Sequence, residues 1–339
     1  MNTIASGPAS RFFFSAFGTL AVFLLLALPT CWSHAAKDTP FGIELTSAHF
    51  PATSSATVVN ALALSAEIGS HSSFVWQWGD ASGLRDAVAA LPPLMRQFGL
   101  KSFIQLRAST FAGNPAPPPG YVRSFGNQLA RDRYLSDVAV LALAKPDYIV
   151  LATEANFMYL FNRLEFEYFR SLYTSAYYLI KTISPGTQVG ASFQYEVWFQ
   201  DYVFNHVDVP SMLAPSDLIA FTTYPESLVH EGHYASIAEI PPEFYGAGRW
   251  AYPNARIVFS EVGWASKGRS TPQLQAEFVR NLPRILSHTN PELVTWAMLH
   301  DVDVFQSYFE HFNSMGLLNL FGNPKPALQA ARELVFPRP

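Results

Sequence analysis

The chain has 339 residues, of which 49% are hydrophobic, 15% aromatic and only 14% charged, a balance that excludes an intrinsically disordered protein. A formal net charge of −4 provides no basic field for a nucleic acid. The lone cysteine, Cys31, excludes an intramolecular disulfide framework and a cysteine-rich zinc site.

Residues 1–35 read as a secretory signal peptide, which makes the protein secreted or periplasmic. Arg11 is the one charge ahead of an apolar stretch at 12–28. Ser33-His34-Ala35 then places small residues at the −3 and −1 positions of a cleavage site. An uncleaved anchor is the alternative, but Pro29 and the small residues follow the stretch at once. A lipoprotein signal would use Leu28-Pro29-Thr30-Cys31, where Pro29 and Thr30 fit badly. No second long apolar run occurs, so no membrane contact is expected once the leader is removed.

From Ala36 to Pro339 the pattern is that of one domain. Short apolar runs recur at 41–45, 74–78, 102–106, 148–152, 189–193, 218–222, 256–260 and 293–299. Most are rich in Val, Ile, Phe or Trp, as buried strands are. Segments with helical spacing lie between them. Ser82 precedes a helix predicted at 84–98, which Gly99 ends. A helix at 164–184 stops before Pro185-Gly186, Thr271-Pro272 opens one at 273–287, and 326–334 closes the chain. Alternating strand and helix predicts a parallel sheet covered by helices. Eight such pairs in about 300 residues match an α/β fold of the (β/α)8 TIM-barrel type. The rival is a doubly wound open sheet. Its nucleotide signal is missing, because the GxGxxA at 246–251 follows Pro241-Pro242-Glu243-Phe244-Tyr245 rather than a strand.

A barrel carries its active site at the C-terminal ends of its strands, so the polar residues after each run are the candidates. The fourth run leads into Thr153-Glu154-Ala155-Asn156, and the seventh into Glu261-Val262-Gly263-Trp264. On opposite sides of an eight-stranded ring, Glu154 and Glu261 can face each other across the mouth. Two facing carboxylates are what glycosidic bond cleavage requires. A single glutamate at a strand end more often caps or salt-bridges a loop, and it is the pairing that favours chemistry.

The placement of Glu154 and Glu261 resembles the clan-A retaining glycoside hydrolases, whose acid/base follows the fourth strand and whose nucleophile follows the seventh. The stretch Glu261-Val262-Gly263-Trp264-Ala265-Ser266 is especially similar to the nucleophile segment of plant and fungal β-1,3-glucanases. The resemblance implies that Tyr224, in Thr222-Thr223-Tyr224-Pro225, hydrogen-bonds the nucleophile. It also implies that Trp296 floors the sugar site, and it brings Trp264 into the sugar-facing set. The ending from Gly316 to Ala327 resembles the clan's run into its last helix. One position departs from the pattern: Thr153 stands where the clan carries an Asn that holds the sugar 2-OH, with Asn156 as a candidate substitute. Under the clan mechanism Glu154 is protonated at rest, Glu261 is ionised, and the carboxyl groups sit about 5–5.5 Å apart.

Other residues stand beside plainer readings. Trp76, Gln77, Trp78 and Asp80 crowd the exit of the second run, and alternation favours Trp78 and Asp80 as the pair facing sugar, against barrel core. Arg107 leaves the third run, where it holds either the nucleophile's charge, a substrate hydroxyl or a loop salt bridge. Glu44 and Glu196 also follow strand-like runs and compete with the chosen pair. His230-Glu231-Gly232-His233 lacks the i, i+4 helical spacing of a zinc protease. His300-Asp301-Val302-Asp303 reads as a substrate-facing loop rather than a cation site. The proline-rich stretch 112–121 is stiff and lies on the active face of a barrel. No Gly-x-Ser-x-Gly elbow is present. The expectation is a secreted retaining glycoside hydrolase acting on a β-linked glycan, with no metal or organic cofactor required. The alternative is a non-catalytic carbohydrate-binding barrel of an envelope or polysaccharide-export system.

Overall fold

A computed structural model describes residues 40–50, 53–80 and 84–336. The predicted leader, Cys31 and Ser82 lie outside the described residues. The eight strands are β1 (Phe41–Glu44), β2 (His71–Gln77), β3 (Lys101–Arg107), β4 (Tyr148–Val150), β5 (Gln188–Gln194), β6 (Leu218–Thr223), β7 (Ile257–Val262) and β8 (Leu293–Trp296). They close into one barrel in sequence order, with β8 pairing back to β1 and every pair parallel. Each predicted run overlaps one strand. The TIM barrel read from the alternation is therefore the fold.

The surrounding helices are α1 (Ser55–Ile68), α2 (Leu84–Gln97), α3 (Gln128–Leu143), α4 (Ala155–Phe161), α5 (Arg163–Ile183), α6 (Tyr195–Phe204), α7 (Val209–Met212), α8 (Glu226–His230), α9 (Pro242–Ala251), α10 (Pro272–Ile285) and α11 (Pro326–Arg332). Gly99 follows α2 with φ 72°, the left-handed conformation that a helix exit favours and that glycine adopts without strain. The 246–251 glycine motif lies within α9, where Gly248 packs on Phe221 and Tyr195. Among the described residues no helix is long and apolar enough to cross a membrane.

Side chains fill the barrel in layers. At the N-terminal end Phe103, Tyr148, Val150, Leu218, Val258 and Leu293 form part of one buried cluster. Above them His71 Nε2 and Thr295 Oγ1 share a hydrogen bond of 2.8 Å. Burial holds the His71 imidazole down at about 3, so it is neutral. A Cβ on Gly42 would meet that ring at 2.4 Å, so glycine is what lets β1 pass beside it. β2 begins earlier than its apolar run because His71, Ser72 and Ser73 are buried polar residues. The outer strand faces pack on helices, as Phe259 does against Tyr195 and Tyr245.

One irregularity positions the site. Successive strand side chains alternate between barrel interior and helix layer. Val150 points inward, so counting by twos along β4 reaches Glu154. Val258 also points inward, and strict alternation would turn Glu261 outward. The register between β6 and β7 slips here: Phe221 pairs Phe259, but Thr222 pairs Glu261. The extra residue, Ser260, makes a bulge that returns Glu261 to the interior.

Candidate active site

The chain turns from β4 into α4 at Glu154, whose φ of 55° is left-handed. That conformation costs a residue with a Cβ about 1–2 kcal/mol. Two neighbours hold it: the Glu154 N–H donates to Ser192 Oγ at 3.0 Å, and Thr222 Oγ1 donates to Glu154 Oε1 at 2.8 Å. Asn156 is spent on scaffolding. Its Nδ2 donates to the Gln194 carbonyl and its Oδ1 accepts the Gln194 N–H, both at 3.0 Å. Thr153 is buried, and its Oγ1 has no hydrogen-bond partner among the described residues.

Glu261 is buried and bound asymmetrically. Its Oε2 accepts the Tyr224 hydroxyl. Its Oε1 lies 3.9 Å from Arg107 Nη2 and has no hydrogen-bond donor. Arg107 itself is held at the mouth by the Phe111 ring, whose centroid lies 5.0 Å from the guanidinium carbon.

The charges are arranged around Arg107. Burial pushes the Glu154 carboxyl up to about 7, with Arg107 opposing and Glu261 adding to the rise. Glu44, at the end of β1, is pushed up to about 8 by burial and then by Glu261, again against Arg107. Burial likewise takes Asp80 to about 8, with Arg107 the opposing charge. Burial works against the charge of Arg107, but Glu261 and Glu154 more than restore it. Glu196 is raised by burial, and both of its oxygens are occupied, one by Thr223 Oγ1 and the other by Gln194 Nε2. Of the competing glutamates, Glu196 is therefore tied into the scaffold, while Glu44 shares the surroundings of Arg107 and Glu261.

Three predicted sugar-facing tryptophans are elsewhere. Trp296 is the residue after the inward Thr295, so it points into the helix layer. There its Nε1 donates to the Met315 carbonyl at 2.9 Å and its ring meets Phe278 of α10. Trp78 shares this fate, donating to Asp137 Oδ2 at 3.0 Å and stacking on Phe125. A turn closed by the Asp80 N–H and the Gln77 carbonyl separates it from Asp80, whose carboxyl feels the charge of Arg107. Trp264 donates to Ser270 Oγ at 2.8 Å and packs on Phe278. All three indoles are fully buried.

The aromatics at the mouth come from loops instead. Phe111, after β3, stacks on Phe309 at 4.9 Å and meets Phe157 of α4 edge-on. Phe312 meets Tyr224 edge-on at 4.8 Å. Loop residues have no periodicity, so only their aromatic character marked them. The 112–121 stretch packs on the β2 exit, where Ala116 O lies 2.7 Å from a Cβ built on Gly79. His300 and Asp301 are buried and tied to the scaffold. His300 Nδ1 and the Thr46 carbonyl share a 2.7 Å hydrogen bond, and Asp301 pairs with Lys325 at 2.5 Å. His230 lies 3.5 Å from Glu226 and packs on Trp264. Among the described residues no group of three or more His, Cys, Asp or Glu is placed to hold a metal.

Solved structures share this barrel. The GH5_18 protein of Streptomyces cattleya, in complex with GlcNAc, superposes with a TM-score of 0.69 at 19% identity, over 90% of this chain and 83% of that one. The exo-β-1,4-mannosidase Op5Man5 of Opitutaceae bacterium strain TAV5 gives 0.65 at 14% identity, over 87% and 58%. The GH53 catalytic domain of Ignisphaera aggregans gives 0.60 at 14% identity, over 82% and 88%. At these identities the likeness is one of fold. No family model and no curated protein sequence matches the chain.

Proposed function

We propose that the chain is an exported retaining glycoside hydrolase acting on a β-linked glycan, with Glu154 as acid/base and Glu261 as nucleophile. The observation that carries this reading is the contrast between two buried carboxyls at one mouth. Glu154 is raised to about 7 and holds a proton at mildly acidic pH. Glu261 keeps one oxygen on Tyr224 and leaves the other without a donor.

In this mechanism Glu154 gives its proton to the glycosidic oxygen as Glu261 Oε1 attacks the anomeric carbon. The glycosidic C–O bond breaks and a glycosyl-enzyme ester forms. Water, deprotonated by the Glu154 carboxylate, then releases the sugar with its configuration retained. Tyr224, bonded to Oε2, orients Glu261, and the Arg107 guanidinium lies beside its Oε1.

The fold likeness to GH5_18 barrels crystallised with Manb1-4GlcNAc directs the first screen to β-mannosides. Wild type and Glu261→Ala would be assayed on 4-nitrophenyl β-D-mannoside, β-D-glucoside and the matching β-1,4-oligosaccharides. Hydrolysis with retention by proton NMR, lost by about 10³-fold or more in the variant, is the expected result. Inversion would remove the nucleophile role. Glycan binding without hydrolysis would favour the non-catalytic barrel, for which the supporting observation is the unpartnered Thr153 where the resembling enzymes carry Asn.

A further inference from the structure

Strand β3 reaches across the barrel to β7 twice. Its residues Phe103, Gln105 and Arg107 alternate onto one face. Phe103 belongs to the cluster inside the barrel, while Ile104 and Leu106 join the larger core that includes the helices. Gln105 and Arg107 are thus successive inward side chains, with Gln105 the deeper of the two. Arg107 Nη2 lies 3.9 Å from Glu261 Oε1. Gln105 Nε2 donates at 3.1 Å to the carbonyl of Ser260, the residue just before Glu261.

That carbonyl belongs to the bulge. Ser260 has no partner in the register with β6, where Phe221 pairs Phe259 and Thr222 pairs Glu261. The register with β8 also slips here, between Phe259 and Val262. The extra residue of a bulge drops out of the ladder. Ser260 is fully buried, and a buried carbonyl outside the ladder needs a donor from elsewhere. Its hydroxyl is turned to the Phe221 carbonyl at 3.4 Å, which leaves the carbonyl to the Gln105 amide.

The amide is a costly choice for a barrel interior. Gln105 is fully buried, and its Oε1 has no hydrogen-bond partner among the described residues. An apolar side chain of the same length would fill the place without that unmet acceptor. What glutamine adds is an N–H, and only its nitrogen can donate to a carbonyl.

We propose that Gln105 is a positioning residue for the nucleophile: by holding the Ser260 carbonyl from the opposite strand, it fixes the bulge that turns Glu261 into the mouth. The proposal rests on the assignment of Glu261 as nucleophile. Glu261 Oε1 has no donor of its own, and Tyr224 holds only Oε2. The direction of the attacking oxygen therefore depends on the backbone from which the carboxylate hangs. A misplacement of about 1 Å at a reacting atom costs about 10²-fold in rate.

The test compares wild type, Gln105→Met and Gln105→Glu on 2,4-dinitrophenyl β-D-mannoside and β-D-glucoside. The dinitrophenolate leaves without a proton from Glu154, so kcat/KM reads the attack by Glu261 alone. In that step the ester bond from Glu261 to the anomeric carbon forms, the glycosidic C–O bond breaks, and its electron pair leaves on the phenolate. Gln105→Met keeps the side-chain length and removes the donor, and should lower kcat/KM by about 10²-fold. Inhibition constants for the phenyl 1-thio-β-D-glycosides, which report ground-state binding, should stay within about threefold of wild type. Gln105→Glu regains an O–H donor in its protonated form, which burial favours. At pH 5 it should recover about tenfold of the lost rate.

A drop in Tm with kcat/KM unchanged would overturn the positioning role, as would kcat/KM and inhibitor binding weakening together. Gln105→Glu as slow as Gln105→Met at pH 5 would do the same. Gln105→Leu takes the place of Gln105→Met if the latter does not fold. In each of these cases the hydrolase reading stands. A wild type that cleaves neither glycoside, or a Glu261→Ala variant as fast as wild type, removes the nucleophile assignment and this proposal with it.

Discussion

The Tyr224 hydroxyl donates to Oε2 of Glu261, while Oε1 of the same carboxylate is buried with no donor. One oxygen is thus anchored and the other left available. A hydrogen bond to a charged group contributes about 1.5–3 kcal/mol, so Tyr224→Phe should lower kcat by about 10- to 100-fold. The Phe312 contact survives the change, and KM should move little. A fall in thermal stability with kcat unchanged would place Tyr224 outside the mechanism.

The acid role of Glu154 gives a pH signature. Its carboxyl, raised to about 7 chiefly by burial, is a proton donor below that pH and not above it. The kcat/KM profile should therefore fall as pH rises through about 7. Arg107 opposes the rise, so Arg107→Gln should move this limb to higher pH as well as reduce the rate. A limb that stays in place or moves down would break the assigned coupling.

Stability carries a second pH dependence. Glu44 is raised from 4.5 to about 8, so the folded state favours its protonated form. Its contribution is fully present below the unfolded value and is lost as pH rises through about 8. Glu44→Gln should flatten the decline in Tm across that window, where each kcal/mol corresponds to about 2–4 °C. Calorimetry from pH 5 to 9 compares the two proteins. Parallel curves would contradict the raised carboxyl.

Trp296 distinguishes scaffold from subsite. Its ring lies against Phe278 and its N–H is bonded to Met315. Trp296→Phe should cost about 1–3 kcal/mol through lost packing and an orphaned carbonyl, with KM for aryl glycosides unchanged. A KM increase with stability intact would return Trp296 to the sugar site.

Residues 1–35 are predicted to be a leader removed on export. Expression in a secreting host should yield a mature protein beginning at Ala36, as measured by intact mass and N-terminal sequencing. A chain retaining its apolar 12–28 stretch would point to the anchor.

The barrel was legible in the sequence because a strand buried on both faces must be apolar along its length, and eight such runs alternate with helical spacing. Glu154 and Glu261 stood out for the same reason, as acids placed immediately after apolar runs. Which side each residue faces was decided by the tertiary structure. The Ser260 bulge turns Glu261 inward, and unbroken alternation sends Trp296 outward, yet each follows an apolar pair and one hydroxyl residue. The bulge arises from pairing with β6, a contact that no local pattern encodes. The aromatic contacts at the mouth are still less local. Phe111 and Phe309 meet only because the closed barrel brings the β3 and β8 loops together, and ring packing between distant loops leaves no period in either segment.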